Sequence, residues 1–157
     1  MAITTAFCTS AKVDLLAARH NFLLSGGNAF KLAMYDAVAA FDADTTAYTA
    51  SDEVSVGGGG TGYTAGGGAL TRIDPSNPSG AVAITDFADL VFTLSGASAT
   101  LAAEGCMIYN DDLTTPVADA SVSVHSFSGS PSASGDGATF TVQFPAADAS
   151  NAILRLA

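Results

Sequence analysis

The side chains able to carry chemistry in this sequence are two histidines, two cysteines and fifteen carboxylates, scattered among many serines and threonines. His125 falls on the same strand face as Ser121 and Ser123, which could orient a hydroxyl nucleophile only if a carboxylate came near. His20 lies on one face of a candidate helix, where a packed or interface role is expected. Neither histidine sits in a local catalytic signature, and no Gly-x-Ser-x-Gly elbow occurs. Paired carboxylates for glycoside hydrolysis meet in space rather than in sequence, but a chain without Trp has little from which to build a sugar platform. Cys8 and Cys106 stand 98 positions apart, whereas zinc needs closely spaced Cys or His pairs, so two free, buried thiols are expected. Asp42-x-Asp44-x-Thr46 sets oxygen donors at alternate positions, as calcium loops do, but it lacks the turn glycine and the distal glutamate. That segment and Asp111-Asp112 read as solvated acidic turns. Gly57, Gly59 and Gly62 have the spacing of a dinucleotide-binding loop, yet the chain runs on into Tyr63 and more glycine. The helix that would hold a pyrophosphate is missing. No lysine follows Lys31, which removes the phosphate-binding P-loop alternative. The expectation is a protein that is not an enzyme, with no catalytic residue, cofactor or metal.

Composition narrows the class. Of 157 residues, 48% are hydrophobic and 13% charged, with five Lys+Arg against fifteen Asp+Glu and a net charge of −10. The apolar fraction argues against global disorder, and the length suits one domain with its own core. Charge this sparse, about half the usual fraction, suggests a chain that works against neighbours. Lys12, Arg19, Lys31, Arg72 and Arg155 are too few and too scattered to track a phosphate backbone. Nucleic acid is therefore not an expected partner. No uninterrupted apolar run is long enough for a transmembrane helix, and the opening residues do not read as a secretory signal. No membrane partner is expected, and synthesis in the cytoplasm is. Residues 1–31 carry three cations and one acid, Asp14, whereas residues 32–157 carry two cations and fourteen acids. This asymmetry suggests that the N-terminal segment docks on a partner while the rest faces solvent.

The elements that would position these residues are mostly strands. Ser10 can cap a helix over about residues 10–22, with Val13, Leu16, Ala17, His20 and Leu23 forming its apolar face. After Gly26-Gly27 the pattern changes to strands. Phe30, Leu32 and Met34 alternate with Lys31, Ala33 and Tyr35, and Phe140, Val142 and Phe144 alternate with Thr139, Thr141 and Gln143. Val82–Ile84, Leu90–Leu94, Thr100–Ala103, Cys106–Tyr109, Ser121–Ser126 and Ala152–Leu156 supply further strands. Eight glycines in the twelve positions 57–68 predict a loop that is either mobile or closely packed. Residues 74–80 and 128–137 predict two more loops. The fold class expected is mainly β: an antiparallel β-sandwich, jelly-roll-like, with one short N-terminal α-helix. Residues 1–25 form an N-terminal arm and helix, and residues 26–157 the sandwich.

The order of several blocks resembles a family of small virion structural proteins of tailed bacteriophages. They are the opening Met1-Ala2-Ile3-Thr4-Thr5-Ala6-Phe7-Cys8-Thr9-Ser10, then Phe30-Lys31-Leu32-Ala33-Met34-Tyr35 and Gly60-Thr61-Gly62-Tyr63-Thr64-Ala65-Gly66-Gly67. Asp86-Phe87-Ala88-Asp89, Gly105-Cys106-Met107-Ile108-Tyr109-Asn110, Phe144-Pro145-Ala146-Ala147-Asp148-Ala149 and Asn151-Ala152-Ile153-Leu154-Arg155-Leu156 complete the set. The loops at 57–59 and 128–137 look longer than the family pattern. The resemblance implies a capsid cement or decoration protein on the outer surface of the virion, bound to the major capsid protein and self-associated as a dimer or trimer. A tail, neck or fibre-associated role is the alternative. In that setting Phe7, Lys12, Arg19 and Lys31 are the expected capsid contacts, and the acidic sandwich would project outward.

Overall fold

A computed structural model describes residues 2–157. Its centre is a five-stranded antiparallel sheet built from β1 (Ala6–Phe7), β2 (Phe30–Tyr35), β3 (Gly68–Ala69), β8 (Gly105–Asn110) and β9 (Ala120–Ser126), in the order β1-β9-β8-β2-β3. β2 runs in unbroken register along β8, from Phe30 opposite Asn110 to Tyr35 opposite Gly105. Every residue of β8 is buried, so this strand is covered on both faces. One face, carrying Leu32, Met34, Cys106, Ile108 and Val122, joins the main core with Phe87, Phe92, Leu94, Leu101, Phe140 and Leu154. The other, carrying Ala33, Tyr35, Met107, Tyr109 and Val124, packs under Ile3, Cys8, Ala11 and Ala39 in a second core.

The layer opposite the main face consists of short antiparallel sheets. β4 (Arg72–Ser79), β5 (Val82–Phe87) and β12 (Leu154–Leu156) form a three-stranded sheet in the order β12-β5-β4. β6 (Leu90–Thr93) pairs with β11 (Thr139–Val142), and β7 (Thr100–Ala102) with β10 (Ser132–Ser134). The molecule is thus mainly β with one short helix, in an arrangement consistent with a sandwich.

Four local expectations are corrected. The helix α1 spans Thr9–Leu16, not 10–22, and begins at Cys8 with no side-chain cap. Ser10 instead donates its hydroxyl to the Thr45 carbonyl. The buried side of α1 is Ala11 and Asp14, whereas Val13 and Leu16 are exposed. An eight-residue helix over a sheet presents its narrow face inward, and the apolar spacing that suggested a longer helix describes an outer surface. Residues 74–79 are strand rather than loop. Pro75 and Pro78 are tolerated because β4 is an edge strand with shifted register. The 128–137 loop contains β10. β9 was expected to show one polar face, yet Ser121, Ser123 and His125 do not share one: a register shift in β9 sets Ser121 opposite Tyr109 of the second core, and Ser123 and His125 opposite Ile108 and Cys106 of the main core.

The glycine-rich segment is closely packed. Gly67 has φ +73°, and a Cβ there would overlap the Leu32 carbonyl. A Cβ on Gly58 would overlap the Ser98 carbonyl. Main chain lies against main chain, which only glycine permits. The first 25 residues are not a separate arm in their contacts: β1 pairs with β9 (Ala6 opposite Val124), and Phe22 stacks on Phe30 with ring centroids 4.5 Å apart.

Candidate functional site

Polar chemistry inside the molecule is concentrated at Glu53. Its carboxylate accepts Tyr48 Oη at 2.6 Å, Tyr63 Oη at 2.6 Å and the Gly66 amide at 2.8 Å. Tyr63 Oη in turn accepts the Met34 amide at 2.8 Å. Tyr109 donates to the Gly66 carbonyl and stacks on Tyr48, while Tyr35 donates to the Thr49 carbonyl. All four tyrosines of the chain therefore meet around one carboxylate and the end of the glycine-rich segment. Burial, with the Glu53 charge adding to it, drives the Tyr63 and Tyr35 phenols far above their usual range. Burial and a hydrogen bond to Glu53 push Tyr48 up to about 12. Every one of these groups is engaged, so the network is a clamp that pins residues 57–68 to β2. It was missed in the sequence, where its signal was four tyrosines flanking glycine-rich or acidic segments.

The histidines form two separate environments. His125 Nε2 lies 2.9 Å from Ser123 Oγ, and burial lowers its pKa to about 4. No carboxylate contributes to that shift, so the pair lacks the acid that would orient an imidazole for catalysis. His20 is buried against Phe22 and Phe30, with Nδ1 3.0 Å from the Asn110 amide nitrogen. Its Nε2 has no hydrogen-bond partner among the described residues, and Asp14 Oδ2 is 3.9 Å away. Burial lowers the His20 pKa, opposed by Asp14. Cys8 and Cys106 are free and buried, and burial raises both thiols. Asp42 Oδ1 accepts the Asp44 amide in a tight turn. Among the described residues no cluster of His, Cys, Asp or Glu has the geometry to hold a metal ion, and no helix is long and apolar enough to cross a membrane.

The surface is more informative. Among the described residues nine large apolar side chains are exposed, six of them on α1, the segment just after it, β4 or β12: Val13, Leu16, Leu23, Leu24, Ile73 and Leu156. Leu16 is 92% exposed. Beside them runs an apolar groove of about 130 Å³, lined by Phe7, Leu15, Phe22, Ile84, Leu154 and Leu156. Phe7 and Leu154 also line an adjoining cavity that reaches Ala149 and Ala157. A larger opening of about 420 Å³ between the end of β9 and β11 is walled by Ser126, Thr139, Thr141 and Gln143 beside Phe127 and Phe140. It is wide and carries no charged group.

Of the four residues expected at a contact surface, the structure joins two. Lys12 Nζ sits 5.9 Å from the Phe7 ring centroid, and Phe7 lines the groove. Arg19 is held by Asp14 at 2.7 Å. Lys31 is elsewhere, on β2, paired with Asp111 at 2.9 Å. Sequence reasoning missed Arg155, which lines the groove from β12, and Arg72, whose guanidinium donates to the Leu24 carbonyl at 3.0 Å. Both come from late segments that only the fold brings beside the N-terminal residues. Comparison with protein-family models, with curated proteins and with solved structures finds no match for this chain.

Proposed function

We propose that this chain is a structural protein of a tailed-bacteriophage virion, a cement or decoration protein that binds the outer capsid lattice and stabilises the head. The observation that carries the proposal is an apolar groove lined from α1, β4, β5 and β12, elements that carry or adjoin six of the nine large apolar side chains exposed among the described residues. A surface of that kind is a contact surface rather than a solvated one. The order of sequence blocks described above supplies the virion setting. The mechanism needs no bond-making step: a protein that binds the assembled lattice more tightly than free subunits shifts assembly toward the shell by mass action. Many identical lattice sites then add avidity to modest single contacts. The groove end faces the lattice and the acidic remainder of the chain faces outward.

Quantitative mass spectrometry of purified virions carrying this chain tests the proposal. Copies comparable in number to the major capsid protein support a capsid role. A few to a few dozen copies per particle would move the protein to the tail, neck or a fibre. Absence from the particle overturns the assignment. Deleting residues 1–24 would be a poor test, because β1 is an edge of the central sheet and Phe22 belongs to the core. Substitution of Leu16, which is exposed, leaves the fold intact and isolates the contact.

A further inference from the structure

Two strands that line the apolar groove have an outer edge with no main-chain partner among the described residues. β12 is the end strand of its sheet, hydrogen-bonded to β5 on one side. Beyond that pairing, none of Leu154, Arg155 or Leu156 makes a main-chain hydrogen bond among the described residues. β1 is the end strand of the central sheet, and its Phe7 stands across the groove from β12. The remaining edge of the three-stranded sheet, β4, is blunted by Pro75, Pro78 and irregular register, which discourage strand addition. β12 carries no proline and no bulge.

Cations gather at this end, although the chain as a whole is acidic. Four of the five cations lie on its elements: Lys12 and Arg155 at the groove, Arg72 at the Leu24 loop, and Arg19 at the end of α1. Lys12, Arg72 and Arg155 form no ion pair among the described residues. The acids near them are Asp14, occupied by Arg19; Asp42, which like Lys12 acts on Cys8; Asp74, which accepts the Leu24 amide; and Asp148, which lies within the influence of Arg155. Asp86, beneath β12, is buried and turned to the amides of Phe87 and Ile153. A two-fold contact between copies would set these cations against their own equivalents, so charge disfavours a second copy as occupant.

We propose that the groove accepts an extended segment of a different protein, apolar at alternate positions and acidic between them, which adds to the free edge of β12 as a further strand. Its main chain would bond to β12, its apolar side chains would fill the space between Phe7, Leu154 and Leu156, and its carboxylates would meet Lys12 and Arg155. The inference deepens the capsid-binding proposal by naming the chemistry of the partner element, and it rests on the groove being that contact surface.

The test titrates the full chain with two short peptides, one alternating Val and Asp and one alternating Val and Lys, followed by amide chemical-shift mapping. The expected result is saturable binding of the acidic peptide, with shifts centred on Phe7, Leu15 and Leu154–Leu156. Slowed amide exchange in β12 should accompany it, with affinity for the lysine peptide lower by about tenfold or more. Arg155→Glu and Lys12→Glu, both exposed positions, should each weaken the acidic peptide by about tenfold while leaving the thermal midpoint unchanged. Equal affinity for the two peptides, shifts centred elsewhere, or no binding overturns the inference. Co-sedimentation with capsids separates the two proposals. Capsid binding that survives Arg155→Glu leaves the virion assignment standing and removes the groove. Peptide binding without capsid binding does the reverse.

Discussion

Replacing Glu53 with Ala should be among the most damaging single changes outside the apolar core. Three donors lose their acceptor at once: Tyr48 Oη, Tyr63 Oη and the Gly66 amide. Tyr63 is 7% exposed, so its hydroxyl cannot turn to water, and a buried hydrogen bond to a charged group lost without replacement costs about 2–3 kcal/mol. Tyr48 and Gly66 are half-exposed and can be rehydrated, which limits their share to about 0.5–1 kcal/mol each. The sum is about 3–5 kcal/mol, or a fall in thermal midpoint of about 6–20 °C for a chain of this length. Urea unfolding followed by far-ultraviolet circular dichroism gives the free energy directly. Tyr63→Phe in both backgrounds closes a double-mutant cycle that isolates the buried bond. A loss below about 1 kcal/mol for Glu53→Ala, or a cycle with no coupling, would refute the claim that this carboxylate clamps the glycine-rich segment.

Three other outcomes follow from the same geometry. Because burial holds the tyrosine phenols protonated when folded, while the unfolded chain ionises near pH 10, their stabilisation is complete below pH 10. It falls as pH rises toward the folded values, of which Tyr48 at about 12 is the lowest given by its surroundings. Tyrosinate absorbance should therefore appear together with loss of structure rather than before it. His125 has the opposite sign: its folded pKa of about 4 lies below the unfolded value, so its contribution is present above about pH 6.5 and is lost as pH falls toward 4. His125→Gln should flatten the stability profile across that interval, measured by urea midpoints at stepped pH. Gly67→Ala should cost several kcal/mol, since it combines left-handed backbone with overlap on the Leu32 carbonyl; Gly59→Ala, at φ +70° with open space around it, should cost only about 1 kcal/mol. Equal losses for the two glycines would show that strain, not close approach, governs the segment.

The strands were legible where side chains alternate or where β-branched and aromatic residues run together. β2, β8 and β11 lie where the pattern of Phe30–Tyr35, Cys106–Tyr109 and Thr139–Phe144 placed them. The helix was misjudged because an exposed surface can carry the same apolar spacing as a buried face: Val13 and Leu16 look inward in sequence and face outward in space. The strand through Pro75 and Pro78 was hidden because proline is read as a loop signal, and only edge position rescues it. Lys12 and Phe7, two of the four residues expected at a contact surface, lie side by side. Arg155 was not among those four, since its place beside Phe7 depends on β12 folding back across most of the chain. The tyrosine clamp is likewise a product of topology, its members drawn from positions 35 to 109.

The central sheet carries a consequence for how the protein is made. Two of its strand pairings join segments distant in sequence: Ala6 lies opposite Val124, and Phe30 opposite Asn110. A ribosome therefore releases the first edge, the helix and β2 long before the strands they need have been synthesised. β2 can pair with β3 on one side but lacks its longest partner until β8 emerges, and β1 waits for β9. Pairings so remote slow folding, because loop closure must precede any reward from contact. The central sheet is complete only when Ser126 is clear of the exit tunnel. Until then nascent copies hold apolar strand surface open to cellular chaperones and proteases.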